Sequence, residues 1–182
     1  MKFKTHLPLA LLALSFMGSV HAQGVQMGSG YYGEVGYLGL QFKDEDTKIT
    51  PKLMRFVIGK ELTPNLSIEA MAGVTVAKES WTRENGRENG DFSGNTYGIY
   101  VKPKVEIAKD TEAFARLGIA RTSWKDKGNG GVFDDAATKL AYGLGLQTKF
   151  TKDIYGQIDY MHYAKGDGWK ANGLTFSVGL HF

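Results

Sequence analysis

The fold is decided by the segment Asn172-Gly173-Leu174-Thr175-Phe176-Ser177-Val178-Gly179-Leu180-His181-Phe182. Large apolar side chains occupy every second position from Leu174 to Phe182, and small or polar side chains fill the positions between them. Alternation with period two is typical of a β-strand, because successive side chains point to opposite faces of a sheet. The segment therefore predicts a strand with one apolar and one polar face. Alternation alone leaves open whether the apolar face points into a soluble core or outward into lipid.

The amino terminus predicts a secretory signal peptide over residues 1–22. Lys2 and Lys4 precede an apolar run from Leu7 to Met17, and Ser19-Val20-His21-Ala22 offers a small-x-small cleavage site. The apolar run is too short to span a bilayer as a helix. We therefore expect export of the chain and a mature domain that covers residues 23–182.

The composition narrows the classes of protein. The 182-residue chain holds 22 Lys and Arg against 19 Asp and Glu, and two of the lysines lie in the predicted signal peptide, so the mature chain is nearly neutral. A nucleic-acid partner is therefore not expected. Cysteine is absent, which excludes disulfides, thiol catalysis and thiolate metal sites. After residue 22 no apolar run approaches the roughly 18 residues of a transmembrane helix, so a membrane-embedded chain would cross as strands.

Eight segments of the chain share the alternation of the last strand. They run over residues 31–42, 52–62, 67–77, 95–107, 113–124, 138–150, 154–163 and 172–182. The connections at residues 63–66, 108–112 and 151–153 are short, whereas those around residues 43–51, 78–94, 125–137 and 164–171 are longer and polar. An even number of strands with short turns on one side and long loops on the other predicts an all-β fold, an eight-stranded antiparallel up-and-down transmembrane β-barrel.

In each predicted strand, the residues on the face opposite the large apolar side chains are predicted to line the barrel lumen. These faces carry small residues with single charges at mid-strand, which suits the narrow interior of eight strands. The same parity predicts a lumen charge network of four acids and four bases: Glu34, Arg55, Glu61, Glu69, Lys102, Arg116, Lys149 and Asp159. Charges in a confined interior persist only when they are paired, so the balance predicts a plugged lumen. A proton or ion path is the alternative.

Aromatic and basic residues near the strand ends predict the two membrane interfaces. We expect an aromatic girdle from Phe150, Tyr155 and Phe182 at the short-turn end, and from Tyr97, Trp124, Tyr160 and Tyr163 at the long-loop end. Candidates for contact with lipopolysaccharide phosphates at the long-loop rim are Lys52, Arg121, Lys125 and Lys139. A simple interfacial role, with long basic side chains that snorkel, is the alternative.

Four segments resemble a known family of barrels. They are Leu62-Thr63-Pro64-Asn65-Leu66-Ser67-Ile68-Glu69-Ala70, Ala115-Arg116-Leu117-Gly118-Ile119-Ala120, Ala141-Tyr142-Gly143-Leu144-Gly145-Leu146 and the terminal Phe182. Together they resemble the small outer-membrane β-barrel family of the OmpA transmembrane domain and OmpX, over essentially the whole mature chain. The resemblance implies that Val178, Leu180 and Phe182 form the signal read by the barrel assembly machinery. We expect no peptidoglycan-binding domain after the last strand.

The sequence contains few candidate catalytic residues. Only His162 and His181 remain after removal of the signal peptide. Barrel lipid A deacylases carry a His and a Ser two residues apart on one strand, but the residues two positions from His162 are Ala164 and Tyr160. Ser123 shares the predicted face of His162 but lies two strands away. We therefore expect no enzyme activity, no cofactor and no metal site.

Two polar segments are predicted to be solvated loop tips. One is the acidic run Asp44-Glu45-Asp46, and the other is the tandem repeat Arg83-Glu84-Asn85-Gly86-Arg87-Glu88-Asn89-Gly90. The acidic run lacks the glycine and the spaced oxygens of a calcium loop, and Asn-Gly pairs favour tight turns. Binding of a cation or another ligand at these tips is the alternative.

The residues together predict a non-enzymatic integral barrel of a Gram-negative outer membrane. Its expected role is structural and surface-presenting, with adhesion or surface protection through four outward loops. The expected partners are outer-membrane lipid and lipopolysaccharide, the assembly machinery and a host or surface ligand, and the barrel is expected to be a monomer. The alternatives are a lipid A-modifying enzyme, a narrow solute or ion channel and, for the fold, a soluble lipocalin-like barrel.

Overall fold

The architecture is a closed antiparallel meander in the computed structural model, which describes residues 30–44, 48–82, 89–128, 131–166 and 168–182. The predicted signal peptide lies outside the described residues, as do residues 45–46 of the acidic run and residues 83–88 of the tandem repeat. Among the described ranges, no helix is long and apolar enough to cross a membrane.

Ten strands are described. They are β1 (Tyr31–Lys43), β2 (Lys48–Ile49), β3 (Lys52–Thr63), β4 (Leu66–Ala77), β5 (Glu79–Thr82), β6 (Asn89–Ala108), β7 (Thr111–Gly128), β8 (Gly131–Lys149), β9 (Ile154–Lys165) and β10 (Lys170–His181). The eight long strands pair with their chain neighbours in antiparallel order, while β2 and β5 are short additions to β1 and β6. The first and last strands also pair, from Tyr32 opposite His181 to Lys43 opposite Lys170, and this pairing closes the barrel. The predicted eight-stranded up-and-down barrel is confirmed.

Strands β6, β7 and β8 are longer than predicted. They hold 20, 18 and 19 residues, against 12 or 13 in the other five wall strands. The sequence-based boundaries assigned residues 89–94 and 131–137 to loops. Pairing in fact continues to Gly90 opposite Gly128 and Gly128 opposite Gly131. Since a membrane-spanning strand needs only about 9–11 residues, these three strands extend beyond the membrane on the long-loop side.

The short turns follow from local backbone chemistry. Between β6 and β7, Asp110 adopts a positive φ of 59°, a left-handed conformation that Asp tolerates better than most residues. Between β8 and β9, the Ile154 amide donates to the Thr151 hydroxyl at 3.0 Å. Both turns lie at the same end of the barrel, which fixes the long connections at the opposite end.

The outer wall carries the large apolar side chains. Leu144 is 71% exposed, Ile99 is 64% exposed and Phe176 is 56% exposed, and each lies in the middle part of its strand. Their neighbours in sequence point inward, as the strand parity predicts. An outward apolar belt requires lipid as its solvent, so the alternative of a soluble barrel with these residues inside is wrong.

Candidate functional site

The interior toward the short-turn end is built around Arg116. Its Nε donates to Glu69 Oε2 at 2.5 Å, its Nη2 donates to Glu34 Oε2 at 2.9 Å and its Nη1 donates to Asp159 Oδ2 at 3.0 Å. These side chains come from β7, β4, β1 and β9, and parity turns each of them inward. One guanidinium thus links carboxylates from three other strands, and all four residues are at most 2% exposed.

Two further cations complete this group. Arg55 binds Asp159 in a bidentate pair, with Nη1 to Oδ1 at 2.7 Å and Nη2 to Oδ2 at 2.5 Å. The Lys102 ammonium lies 3.2 Å from Glu34 Oε1 and 3.3 Å from Glu69 Oε1. Three acids face three bases, so the charge balances. We call this group, Glu34, Arg55, Glu69, Lys102, Arg116 and Asp159, the ionic layer.

Neutral side chains satisfy the remaining oxygens of the ionic layer. The Tyr32 hydroxyl donates to Glu69 Oε1 at 2.7 Å, and the Tyr155 hydroxyl donates to Glu34 Oε1 at 2.9 Å. The Gln157 amide donates to Asp159 Oδ2 at 3.0 Å and to Glu34 Oε2 at 3.2 Å. Each buried carboxylate therefore has several donors, the condition under which buried charge is tolerated.

The structure brings together six of the eight predicted lumen charges and separates two. Glu61 lies closer to the short-turn opening, where Lys104 Nζ approaches its Oε1 at 2.6 Å. Lys149 is exposed at the end of β8 and takes part in none of the ion pairs between described residues, so its predicted place in the buried network is wrong. Lys149 is the last residue of β8, so neighbouring strands do not enclose its side chain even though it has the inward parity.

Two charged residues near this opening, Lys104 and Glu112, are missing from the predicted lumen set. Lys104 also lies 3.6 Å from Glu112 Oε2, and the Gln147 amide donates to the same oxygen at 2.5 Å. The signal for Lys104 was present in the sequence, because it stands two residues after Lys102 and shares its face. The strand predicted over residues 95–107 also contains Lys104, so parity alone would have placed it in the lumen.

The interior toward the long-loop end is apolar. Leu38, Leu40, Leu53, Met161 and Tyr163 are fully buried there, and we call these five residues the apolar layer. Their positions follow the same parity as the ionic layer, with Leu38 four residues after Glu34 and Met161 two residues after Asp159. The predicted polar lumen is therefore correct only for the short-turn half of the barrel.

An aromatic cluster lies above the apolar layer. Ring centroids of Trp124 and Trp169 are 4.5 Å apart, those of Phe42 and Trp124 are 6.2 Å apart, and those of Phe42 and Phe92 are 5.0 Å apart. We call these four residues the aromatic cap. Trp124 was predicted to face lipid, and so were Tyr155 and Tyr163. All three face inward, whereas Tyr97, Phe150, Tyr160 and Phe182 are exposed on the outside as predicted.

The aromatic cap borders an open cavity at the long-loop end. This mouth cavity encloses about 450 Å³ and is lined by Trp124 and Trp169 together with Asp135, Lys139 and Lys165. Indole rings and ammonium groups thus share one concave surface, and among the described residues a single carboxylate, that of Asp135, lines it with them. Sugars bind such surfaces through ring stacking and polar contacts, and the two lysines favour an anionic group.

The four basic candidates for lipopolysaccharide contact do not form one cluster. Arg121 is exposed on the outer wall, and Lys125 lies 3.8 Å from Asp134 in an exposed pair. Lys139 lines the mouth cavity instead of the outer wall, because it has the inward parity of Ala141 and Gln147. Lys52 starts β3, which lies across the barrel from β8.

The two histidines of the described residues lie at opposite ends of the barrel. The His162 Nδ1 bonds Asn172 Oδ1 at 2.7 Å, and its ring lies 5.0 Å from that of Tyr142 on the outer wall. His181 lies at the short-turn opening with its Nε2 3.8 Å from Glu61. Within the described part of the chain, no three His, Asp or Glu side chains are grouped so as to hold a metal ion.

The terminal residues of β10 complete the barrel wall. Val178 and Phe182 are exposed on the outer surface, Leu180 is half-buried, and the Phe182 amide donates to the Tyr31 carbonyl at 2.9 Å. The apolar row predicted for the assembly signal is therefore displayed on the lipid side of the seam that closes the barrel.

A closed eight-stranded barrel with an outward apolar belt and a charged interior defines the class of small integral outer-membrane proteins. The sequence profile of the outer membrane protein beta-barrel domain matches residues 9–182, and the chain belongs to that family. A curated relative is the outer membrane protein lom of Escherichia phage lambda, 24% identical over 143 residues, which are 67% of this chain and 69% of the relative.

Two solved structures illustrate the shared fold. The attachment invasion locus protein Ail of Yersinia pestis matches with a TM-score of 0.62 and 20% identity over 85% of this chain and all of that chain. Neisserial surface protein A matches with a TM-score of 0.68 and 12% identity over 85% of this chain and 98% of that chain. These identities establish a common architecture and leave the function to be argued from the residues.

Proposed function

We propose that the protein is a non-conducting, non-enzymatic barrel that supports the outer membrane and binds a surface ligand with its long-loop end. The observation that carries this proposal is the division of the interior. Ion pairs fill the short-turn half, buried apolar side chains fill most of the long-loop half, and the mouth cavity lies above them.

The two interior layers oppose ion passage in different ways. An ion in the ionic layer would compete with pairs such as Arg55 and Asp159, which are already neutralised and fully buried. An ion in the apolar layer would lose its hydration and meet few polar groups there, namely the buried hydroxyls of Tyr163, Thr96 and Thr122. The two barriers lie in series, so breaking one leaves the other in place.

Planar-bilayer recordings test the plugged lumen. We expect no discrete single-channel steps from the wild-type protein. A variant with Leu38→Ala and Met161→Ala enlarges the apolar layer but keeps the ionic layer, and we expect it to remain closed. Regular conductance steps from the wild type, abolished by filling the interior further with Ala141→Leu, would replace this proposal with the channel alternative.

The proposed ligand is an anionic sugar. Trp124 and Trp169 contribute indole rings to the cavity wall that a sugar can contact, while Lys139 and Lys165 offer charge for a sulfate or carboxylate. A structural relative supports this choice, because Ail of Yersinia pestis has been solved in complex with the heparin analogue sucrose octasulfate. That structure matches with a TM-score of 0.64 and 20% identity, so the ligand class is transferred here as part of the proposal.

Binding of sucrose octasulfate to the detergent-solubilised protein tests the mouth cavity. The paired substitution Lys139→Gln with Lys165→Gln should weaken binding by roughly tenfold or more, since each lost charge contact costs about 1 kcal/mol or more. The matched control is Lys149→Gln with Lys152→Gln at the short-turn end, which removes the same charge. Equal weakening by both pairs would show a response to net charge and contradict the cavity.

The remaining parts of the proposal concern biogenesis and the enzyme alternative. We propose export by the signal peptide, recognition of Val178, Leu180 and Phe182 by the assembly machinery, and a monomer surrounded by lipid and lipopolysaccharide. His162 bonds an amide and has no serine or threonine hydroxyl among its described contacts, which supports a non-enzymatic barrel. Incubation with lipopolysaccharide followed by mass spectrometry should show unchanged acyl chains, and loss of a chain would favour the enzyme.

A further inference from the structure

A groove indents the outer wall where β9, β10, β1 and β3 meet near the long-loop rim. It encloses about 300 Å³, and the described residues that line it include no acid. This wall faces lipid, so the contents of the groove are in contact with the membrane and not with the interior. Its key residues are Tyr37, Gly39, Gln41, Lys52, Asn172 and Phe176.

Gly39 creates the depression. It stands on the outer face of β1 between Lys52 of β3 and Leu174 of β10, where most outward positions carry a side chain. A Cβ added at Gly39 would meet the Thr50 methyl at 3.7 Å and Lys52 Nζ at 3.8 Å, which are ordinary contact distances. The Lys52 ammonium therefore lies over the missing side chain, at the edge of the groove.

The edge of the groove nearer the long loops is polar. Gln41 pairs with Asn172, and Asn172 pairs with His162, so three polar side chains follow one another across the outer wall. The Asn172 carbonyl can only accept, so His162 Nδ1 donates to it at 2.7 Å. This bond uses the oxygen of the Asn172 amide and leaves its nitrogen to donate to a bound molecule.

The opposite edge of the groove is apolar. Tyr37 pairs with Phe176 one step nearer the membrane centre, and the two rings are 51% and 56% exposed. An ammonium and amide donors on one edge and aromatic rings on the other match an amphiphile with a phosphate head, hydroxyl groups and acyl chains.

We propose that this groove binds one lipid A molecule of the outer leaflet. Lys52 contacts a phosphate, Gln41 and Asn172 contact sugar or acyl-amide groups, and an acyl chain lies along Tyr37 and Phe176. The polar edge favours lipid A over a glycerophospholipid, since several amide donors match a sugar head better than a single phosphodiester. The inference rests on the proposed orientation with the long loops outward, and it is independent of the mouth cavity.

Native mass spectrometry of the protein from outer membranes, transferred to phosphatidylcholine nanodiscs, tests the site. Lipid A, dephosphorylated lipid A and phosphatidylglycerol are the three added lipids. Lys52→Gln should weaken lipid A binding about fivefold, the effect of one basic residue near an anionic lipid. Gly39→Leu should abolish bound lipid A by filling the depression, while the barrel stays folded because the added side chain faces lipid.

Two matched controls separate the groove from general properties of the wall. Arg121→Gln removes a cation on the far side of the same rim, and Gly33→Leu adds a side chain to the outer face of β1 at the short-turn end, where an added Cβ meets its nearest atom at 3.7 Å. Both should retain lipid A as the wild type does. Equal loss in Arg121→Gln and Lys52→Gln, or equal binding of phosphatidylglycerol, would overturn the proposal. Sucrose octasulfate binding should be unchanged in Lys52→Gln, which separates this site from the mouth cavity.

Discussion

The ionic layer and the apolar layer occupy the same barrel, share the same strand parity and are equally buried, yet they depend on different interactions. In the ionic layer, Arg116 holds three carboxylates from three other strands, so each member depends on the others. In the apolar layer, Leu38 and Met161 are stabilised by packing, and each contributes largely on its own. The comparison shows that the narrow interior of an eight-stranded barrel can be filled by either chemistry.

The two layers also differ in how they tolerate the loss of one side chain. A buried pair contributes little over a well-packed apolar substitute, but loss of one partner leaves a charge without compensation. Loss of a methylene group leaves only a cavity. The two layers should therefore respond differently to substitution, to salt and to restoration by a second mutation.

Arg116→Met should have the largest effect. It leaves Glu34, Glu69 and Asp159 facing two cations, and we expect the free energy of unfolding to fall by about 3–5 kcal/mol. Urea unfolding followed by the change in gel mobility between folded and unfolded protein measures it. Adding Glu69→Gln to Arg116→Met should recover part of the loss. A loss no larger than that of Lys149→Met, the exposed control, would contradict the network.

Leu38→Ala probes the apolar layer in the same assay. Truncation of a fully buried leucine should lower the free energy of unfolding by about 2–5 kcal/mol, depending on how far its neighbours relax. Leu174→Ala on the outer wall is the control, because lipid chains can fill the space it leaves. If the two truncations cost the same, the apolar layer is not packed as described.

Leu144→Arg compares the outer wall with the interior. At the bilayer midplane this change should cost about 2–4 kcal/mol. Gln147→Arg on the opposite face of the same strand should cost less, since Glu112 already accepts a hydrogen bond from Gln147 and can pair with the new charge. Equal tolerance of arginine at both positions would reverse the assignment of faces.

Lys125→Ala should have the smallest effect. Lys125 and Asp134 are 3.8 Å apart with side chains 44% and 72% exposed, and such pairs contribute about 0–1 kcal/mol. Raising the salt to about 1 M should erase any difference from the wild type, because exposed charges are then screened. The loss of unfolding free energy in Arg116→Met should persist at the same salt concentration. If it disappears, water and salt reach the ionic layer.

Particular residues show how far the sequence could predict these layers. Six charges of the ionic layer were predicted correctly as inward-facing, because each is flanked by outward apolar residues in an alternating strand. The same alternation places Tyr155 and Tyr163 inside with Asp159, and in this barrel it outweighs the general preference of aromatic residues for the membrane interface. The same holds for Trp124, since it shares the face of Arg116 on β7.

Other features cannot be predicted from the sequence of a single strand, because they depend on contacts between strands. The contacts of Arg116 join β7 to β1, β4 and β9, and no spacing along the chain specifies which carboxylates meet it. The groove residues of β1 and β3 precede those of β9 and β10 by more than 100 residues, and a glycine in one alternating strand does not predict a depression. The extension of β6 to β8 depends on pairing between neighbours whose sequences look like loops.

The sequence by itself determined the number of wall strands, their order and the direction of most side chains, because a period of two and the contrast between turns and loops are local properties. The tertiary structure decided which charges pair, where the interior changes from ionic to apolar, and where the mouth cavity and the lipid-facing groove lie. The physical reason is the closure of the barrel. Pairing of Asn172–Phe182 with the first strand brings side chains from distant strands into one narrow space, and their contacts depend on register and tilt, not on sequence spacing.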